Sequence, residues 1–555
     1  MIDVASGGVH GDRGALALAA AGLATLLIAV AALSWRESPH LQLGLLALEH
    51  ALWLPAVVLA LAAGPRGPEG RFCLPRAPLF ALAAVFLAAA IVVTGSLKRP
   101  ANAGDESAYR FQARILATGR LAADAPPRTA TDETAYRKEF AFHHHVIHDG
   151  KWFGKYPLGW PLLLSGGVLA GADWLVNPLL AVLLMALSYR IAVLVFGEAE
   201  GRLSVLLLIA SPIFFDQGAS YLSHVSCAVF VAASFLQLLA WRRTGGLRRL
   251  WLTFALLGCA FLVRPYSAVC LAPVFIVGAA CGLQGRRAQP MAVLLAATAA
   301  GIACAVAYAL QNLAFTGDAL LSPYALYRGR AVPAEVTFDV LKIARALPVL
   351  TRRSLQATLF YAAAGALPGA VYALVRERQR KMEAALLAAL FVLLVLGYTL
   401  QTETSDSPFG ERYYFAGFWA LLILAARGWI QLLHRLRPAR LRLAAVASLV
   451  LAVQCVHTGR YAQLLAQRTA EGRLFTAAAL SVTGRGVVFI ERPIGRQRNY
   501  NEAAWPAAER FYMEDPGEAR RAAVAAALGK DRWTVVRYGP GRRSVVAESG
   551  TSRRH

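Results

Sequence analysis

PLGWPLLLSGGVLAGA, residues 157–172, is the stretch on which the reading of the whole chain turns. It is apolar enough to enter a membrane, yet it is short, holds two prolines and four glycines, and begins just after Lys155 and Tyr156. Around it the apolar residues fall in blocks of roughly 15–23, the length that crosses about 30 Å of hydrocarbon at 1.5 Å per residue. If 157–172 counts as a span, the loop holding Arg242 and Arg243 lands on the outer side. If it is a juxtamembrane or re-entrant helix at the outer interface, the basic segments at 66–76, 242–249, 286–287, 376–381 and 435–442 all share the cytoplasmic side.

The second choice fixes the expected architecture: an all-α polytopic membrane protein of about thirteen spans. They are read at 14–34, 41–63, 77–97, 176–196, 201–217, 222–241, 250–264, 266–283, 291–312, 355–375, 383–402, 412–430 and 442–456. Residues 1–76 hold two helices ahead of the main body. Residues 77–456 form the transmembrane body, with a first outer loop and juxtamembrane helices over 98–175 and a second outer loop near 313–354. The first apolar block has no small-residue cleavage site before the next begins, so it reads as a retained span. In the tail, 457–555, GVVFIERP and RWTVVRYG read as strands and EARRAAVAAALG as a helix, giving a small α/β domain on the outer side.

Composition agrees. Apolar residues make up 57% of the 555 and charged residues only 16%, against about 25% in soluble domains. The net charge of +24 is carried by short loops between apolar blocks. That is the pattern of cytoplasmic loops against anionic lipid, and it argues against nucleic acid as a partner. Of seven cysteines, six lie inside apolar blocks and none forms a CxxC pair, so they read as small buried hydrophobes.

The chemistry-bearing stretch is GDESAYRFQARILATGRL, 104–121. Asp105 reads as the N-cap of a helix that stops at Gly119, with Phe111, Ile115 and Leu116 toward lipid and Arg110 and Arg114 toward headgroups or a partner. Asp105 and Glu106 then either complement the helix dipole or act as carboxylates at the membrane surface. The loop returns to that surface through Lys155-Tyr156-Pro157. A carboxylate beside a lysine suits a lipid-phosphate substrate: the acid handles the proton of an acceptor hydroxyl and the lysine holds a departing phosphate. Arg264, between two short spans and followed by Pro265, either snorkels or meets a phosphate. Arg412 either pairs with Glu411 or joins it, and Tyr413 and Tyr414 are interfacial aromatics or substrate contacts. His144 and His148 form an i,i+4 pair if their segment is helical, a zinc-like spacing, but no Cys or third ligand is placed with them.

Taken together, GDExxY at 104–109, KYPLGWPLL at 155–163, RPYSA at 264–268, NLAFTGDALLSPY at 312–324 and GERYYFAGFWALL at 410–422 resemble the GT-C glycosyltransferases. Among these the pattern resembles the aminoarabinose lipid A transferases and the protein O-mannosyltransferases. The resemblance covers residues 77–430 and implies an enzyme of the bacterial inner membrane with its active site facing the periplasm. It would use a polyprenyl-phosphate-linked sugar donor and a lipid A, cell-envelope glycan or protein acceptor, with no nucleotide and no required cofactor, a divalent metal ion being left open. It implies Asp105 as the catalytic base or acceptor-orienting residue, assisted by Glu106. Lys155, Arg264 and Arg412 would bind the donor phosphate, and Tyr109, Tyr156, Tyr221, Tyr413 and His144 would touch substrate. Two features depart from the pattern. The spans at 14–34 and 41–63 precede the usual first helix. The second acid of the next outer turn is replaced by SYLSH at 220–224, leaving His224 or Asp216 as candidate second acid/base or ligand. A transporter or flippase of lipid-linked sugars is disfavoured by the few charges inside the spans. A lipid-linked O-antigen ligase would place its arginines and histidine in one large late loop, whereas the acidic loop here comes early.

Overall fold

A computed structural model describes residues 76–97, 104–127, 142–283, 289–329, 366–401, 412–436, 476–491, 499, 501, 508–539 and 545–551. The expected spans at 14–34, 41–63 and 442–456 lie outside these residues, as does the junction at 456–457.

The chain is a multi-pass membrane protein. Among the described residues five helices are long and apolar enough to cross a bilayer: Asp173–Val195, His224–Thr244, Pro290–Thr316, Lys381–Thr399 and Arg412–Leu432. Shorter apolar helices accompany them at Leu79–Gly95, Pro265–Cys281 and Ala366–Arg376. The block at 157–172 is an 11-residue helix, Gly159–Leu169. It is about 16 Å long, half of what a span needs.

The helices are, in order, α1 (Arg76–Val92), α2 (Gly104–Ala117), α3 (Gly159–Leu169), α4 (Val176–Val195), α5 (Glu198–Ile209), α6 (Pro212–Gly218), α7 (His224–Thr244), α8 (Leu247–Val263), α9 (Pro265–Cys281), α10 (Pro290–Thr316), α11 (Pro323–Tyr327), α12 (Ala366–Arg376), α13 (Lys381–Gln401), α14 (Phe415–Leu436) and α15 (Glu518–Ala527). Local chemistry sets their ends. α7 finishes with Arg242 and Arg243 in its last turn and Gly245 in the left-handed conformation, where a glycine carries no Cβ penalty. α9 starts at Pro265, whose ring forces the preceding residue out of the helical region, so Arg264 lies extended between α8 and α9.

The same effect corrects one expected span. Residues 201–217 are not one helix: Ser211 is extended (φ −87°, ψ 113°) ahead of Pro212, which divides α5 from α6. The bundle interior is held by main chain packed directly on main chain. A Cβ at Gly428 of α14 would sit 1.8 Å from the Gly369 carbonyl oxygen of α12, the close approach that glycine permits between membrane helices. Beside it on α14, the Arg427 guanidinium is shared between Glu200 of α5 (2.7 Å) and Glu377 just past the end of α12 (2.8 Å).

The first loop has its own small fold. Strands β1 (Ala123–Asp124), β2 (His145–His148) and β3 (Lys151–Gly154) pair antiparallel in the order β1-β3-β2. Phe111 and Ile115 of α2 close over this sheet with Ala123, Phe142 and Trp152. These side chains were expected to face lipid; they bury against the loop instead, because the sheet gives them an apolar partner within the domain. Asp105, expected as an N-cap, lies in the first helical turn behind Gly104.

The tail is the expected α/β unit. It contains strands β4 (Gly486–Ile490), β5 (Arg510–Glu514), β6 (Arg532–Tyr538) and β7 (Val545–Thr551). Their order is β5-β4-β6-β7, parallel except for the β6–β7 pair. Ile147 of β2 packs against the core of this sheet, joining tail to first loop.

Candidate active site

The site grows from the head of α2. Asp105 Oδ1 accepts a hydrogen bond from the Tyr156 hydroxyl and lies 2.8 Å from His144 Nε2, while Oδ2 takes the Arg412 guanidinium. Burial works against the charge on Asp105, but Arg412, then His144 and Tyr156, hold its carboxyl well below the usual carboxylate range. It is a firmly ionised acid with three donors on its two oxygens.

A second tier runs through hydroxyls. The Tyr109 ring stacks on Tyr156 at 4.4 Å, and its hydroxyl pairs with Ser223 Oγ at 3.0 Å. Arg264 Nη1 donates to that same Ser223 Oγ at 3.1 Å, and Nη2 reaches the Tyr398 hydroxyl at 3.4 Å. Tyr398 stacks on Tyr413 at 4.7 Å, and both Arg264 and Arg412 lie within 6 Å of the Tyr413 ring, at 5.6 and 5.9 Å. The partners the structure gives Arg264 are hydroxyls and a ring, with no carboxylate among the described residues, and its buried Nε has no hydrogen-bond partner there.

Further contacts shape the walls. Glu106 Oε1 accepts the Tyr221 backbone N–H at 3.2 Å, and Asn177 Nδ2 donates to the carbonyls of Ser220 and Leu222. Trp160 at the start of α3 donates its indole N–H to the Tyr221 carbonyl at 2.8 Å. Together they fix the 220–223 turn that presents Ser223. Arg110 makes two bonds to Asp173, at 2.8 and 2.7 Å, and lies 4.4 Å over the Tyr221 ring. The Lys155 ammonium lies 4.4 Å from the rings of both Tyr324 and Tyr327 of α11 and 5.1 Å from Tyr156. From the tail, the Asn499 N–H donates to Ser107 Oγ at 2.8 Å, two residues along from Asp105.

Of the residues singled out in the sequence, Asp105, Tyr109, His144, Tyr156 and Arg412 form one cluster, which Arg264 and Tyr413 join through Ser223 and Tyr398. Glu106 and Tyr221 form an adjoining backbone-holding pair. His224, the first residue of α7, lies 6.2 Å from the Tyr413 ring. Asp216 is buried on α6 and accepts a hydrogen bond from Gln217 at 3.0 Å. Arg412 reaches Asp105; the pairing with Glu411 read in the sequence lies outside the described residues. Ser223, Asp173 and Tyr398 carried no signal in the sequence.

The described residues do not fit a metal. His144 and His148 are not an i,i+4 helical pair, because His145–His148 is a strand and His144 has φ 69°. No group of three or more His, Cys, Asp or Glu side chains gathers among the described residues. An ion on Asp105 would also have to displace the Arg412 guanidinium from Oδ2.

No protein-family profile matches the chain, and no curated protein matches it. Solved structures do. It is similar to the oligosaccharyltransferase AglB from Archaeoglobus fulgidus, solved with an inhibitory peptide and a dolichol-phosphate (12% identity over 82% of this chain and 69% of that one, TM-score 0.45). It is similar to ArnT from Cupriavidus metallidurans bound to undecaprenyl phosphate (16% identity, 73% and 82% covered, TM-score 0.43). It is also similar to the arabinofuranosyltransferase AftD from Mycobacteria (16% identity, 84% and 35% covered, TM-score 0.42).

Proposed function

We propose that this chain is a glycosyltransferase that moves a sugar from a polyprenyl-phosphate-linked donor to an acceptor hydroxyl at the periplasmic face of the bacterial inner membrane. The acceptor is lipid A, a cell-envelope glycan or a protein. Arg264 carries the reading. A guanidinium held by two hydroxyls and a ring, with a buried Nε left over, is the partner a phosphate needs in an apolar setting. It is linked through Ser223, Tyr109 and Tyr156 to an ionised carboxylate at the head of α2.

In this reading the donor phosphate lies against Arg264, and Lys155 adds a second cation. Arg412 joins them through its buried Nε while its terminal nitrogen stays on Asp105. Asp105 orients the acceptor hydroxyl through the side chains that it holds, while Glu106 assists by holding the 220–223 turn in place. The hydroxyl oxygen displaces the phosphate at the anomeric carbon in one step, which inverts configuration. The leaving polyprenyl phosphate departs as an anion stabilised by the fixed cations. The prenyl chain requires only apolar helix surface.

The reading is tested by the affinity of the full-length chain in lipid nanodiscs for undecaprenyl phosphate. Arg264→Gln should weaken it roughly 10–100-fold, the worth of a lost charge-assisted hydrogen bond. Unchanged affinity would remove the phosphate site on which the reading rests.

A further inference from the structure

We infer that His144 takes the acceptor's proton at Nδ1 and that Asp105 serves to hold the imidazole in the tautomer able to do so. The inference rests on the glycosyl-transfer reading above and assigns the proton within it.

The geometry is that of a carboxylate–imidazole dyad. His144 Nε2 faces the Asp105 carboxylate at 2.8 Å, and a carboxylate only accepts, so Nε2 carries the hydrogen. In the neutral ring the lone pair is then on Nδ1. That atom is buried and has no hydrogen-bond partner among the described residues, a condition native proteins rarely leave unexplained. Asp105, by contrast, has no oxygen to spare: Tyr156 and His144 occupy Oδ1 and Arg412 occupies Oδ2. A carboxylate so heavily hydrogen-bonded is a weak base and a good orienter.

The backbone is arranged to hold the ring there. His144 has φ 69°, one of two non-glycine residues with positive φ among those described, in a region that L side chains enter at a cost. Its ring is wedged between Tyr156 and Tyr327, 5.6 Å from each. Gly104 lies beneath it: a Cβ there would come 3.1 Å from His144 Cδ2 and 2.7 Å from His143 Cβ. Among the described residues, the titratable and charged groups around the ring are Asp105 and Arg412, Tyr156 and Tyr327, and His143 and His145, with Lys155 behind the two tyrosines.

The step balances. The acceptor O–H proton passes to Nδ1, the hydroxyl oxygen bonds to the anomeric carbon, and the anomeric C–O bond breaks with its electron pair going to polyprenyl phosphate. The imidazolium that forms is stabilised by Asp105, and its proton leaves to solvent after the product.

The test uses the full-length protein fused into membrane vesicles from cells lacking the gene, which hold the native donor and acceptor, with the product quantified by mass spectrometry across pH. His144→Gln keeps an N–H for Asp105 but has no basic lone pair. Its initial rate should fall at least about 100-fold, the lower end of what general bases contribute. The acid limb of the wild-type rate–pH profile should disappear, while undecaprenyl phosphate affinity stays within about threefold as proof of folding. A variant that keeps the wild-type rate and acid limb overturns the assignment. Nitrogen NMR of labelled histidine supplies an independent readout: a protonated Nδ1 in the resting protein at neutral pH also overturns it. Absence of any transfer by the wild type overturns instead the reading on which the inference rests.

Discussion

Gly159→Ala asks for the smallest change with the largest expected reach. Gly159 opens α3, and a Cβ built on it would lie 2.5 Å from the Leu262 carbonyl oxygen, 2.6 Å from its carbon and 2.9 Å from the Val263 nitrogen. All three are main chain at the end of α8, so no side-chain rotation relieves the clash. Restoring ordinary contact at 3.4 Å requires the two helices to part by roughly 0.9 Å. Overpacking of this kind costs about 1–3 kcal/mol. Arg264 follows Leu262 by two residues, and Trp160 follows Gly159 by one, so the movement passes into both Arg264 and the 220–223 turn. A displacement near 1 Å is worth on the order of 100-fold in rate.

Helix propensity predicts the opposite sign, since alanine is favoured over glycine by about 1 kcal/mol. Gly166, exposed on the same helix, is the control, because a Cβ added there would meet nothing within 4 Å. Gly166→Ala should leave the thermal midpoint in detergent unchanged or raised; Gly159→Ala should lower it and cut sugar transfer about 100-fold. Equal midpoints and equal transfer for the two variants would refute the claim that α3 sits against α8 as described.

Two other outcomes follow from the loop that carries the site. Asp173→Asn leaves Arg110, with 11% of its side chain exposed, without that carboxylate and should cost about 2–3 kcal/mol; the double variant Arg110→Met, Asp173→Leu should recover most of it by thermal unfolding, and a double variant as unstable as the single one would refute the pair's role. His145 is buried and its pKa is pushed down to about 3 by that burial. The unfolded chain binds the proton near 6.5 while the folded one does not, so stability is full above about 6.5 and falls by about 1.4 kcal/mol per unit as pH drops toward 3. Amide protection factors over residues 142–154, corrected for the intrinsic pH dependence of exchange, should fall on acidification in the wild type and much less in His145→Gln; an identical fall in both would be contrary.

Much of this was legible in the sequence because it is local. Hydrophobic length marks α4, α7, α10 and α13; Pro265 marks the break that frees Arg264; and two apolar runs mark β4 and β6. The demotion of 157–172 could be read from its prolines and length, and an 11-residue helix stands there. What escaped was set by distance. Arg412 meets Asp105 across 307 residues, beyond anything that its neighbour Glu411 reveals. Ser223 and Tyr398 are ordinary residues in apolar surroundings until Arg264 is placed between them. Phe111 and Ile115 looked lipid-facing because their true partners, Phe142 and Trp152, lie on a sheet with only weak strand periodicity. β5 and β7 escaped because RFYME and VVAESGT mix charged and apolar residues without clean alternation.

The central claim is that Asp105 and the cations around it transfer a sugar to an envelope molecule. It is tested most directly by mass spectrometry of lipid A, envelope glycans and envelope proteins from cells carrying the wild-type gene, no gene, or Asp105→Asn. The account predicts one molecule heavier by a single sugar in the wild type alone, with the Asp105→Asn protein present in the membrane at the normal level. The same sugar mass in the Asp105→Asn cells at wild-type abundance would contradict it.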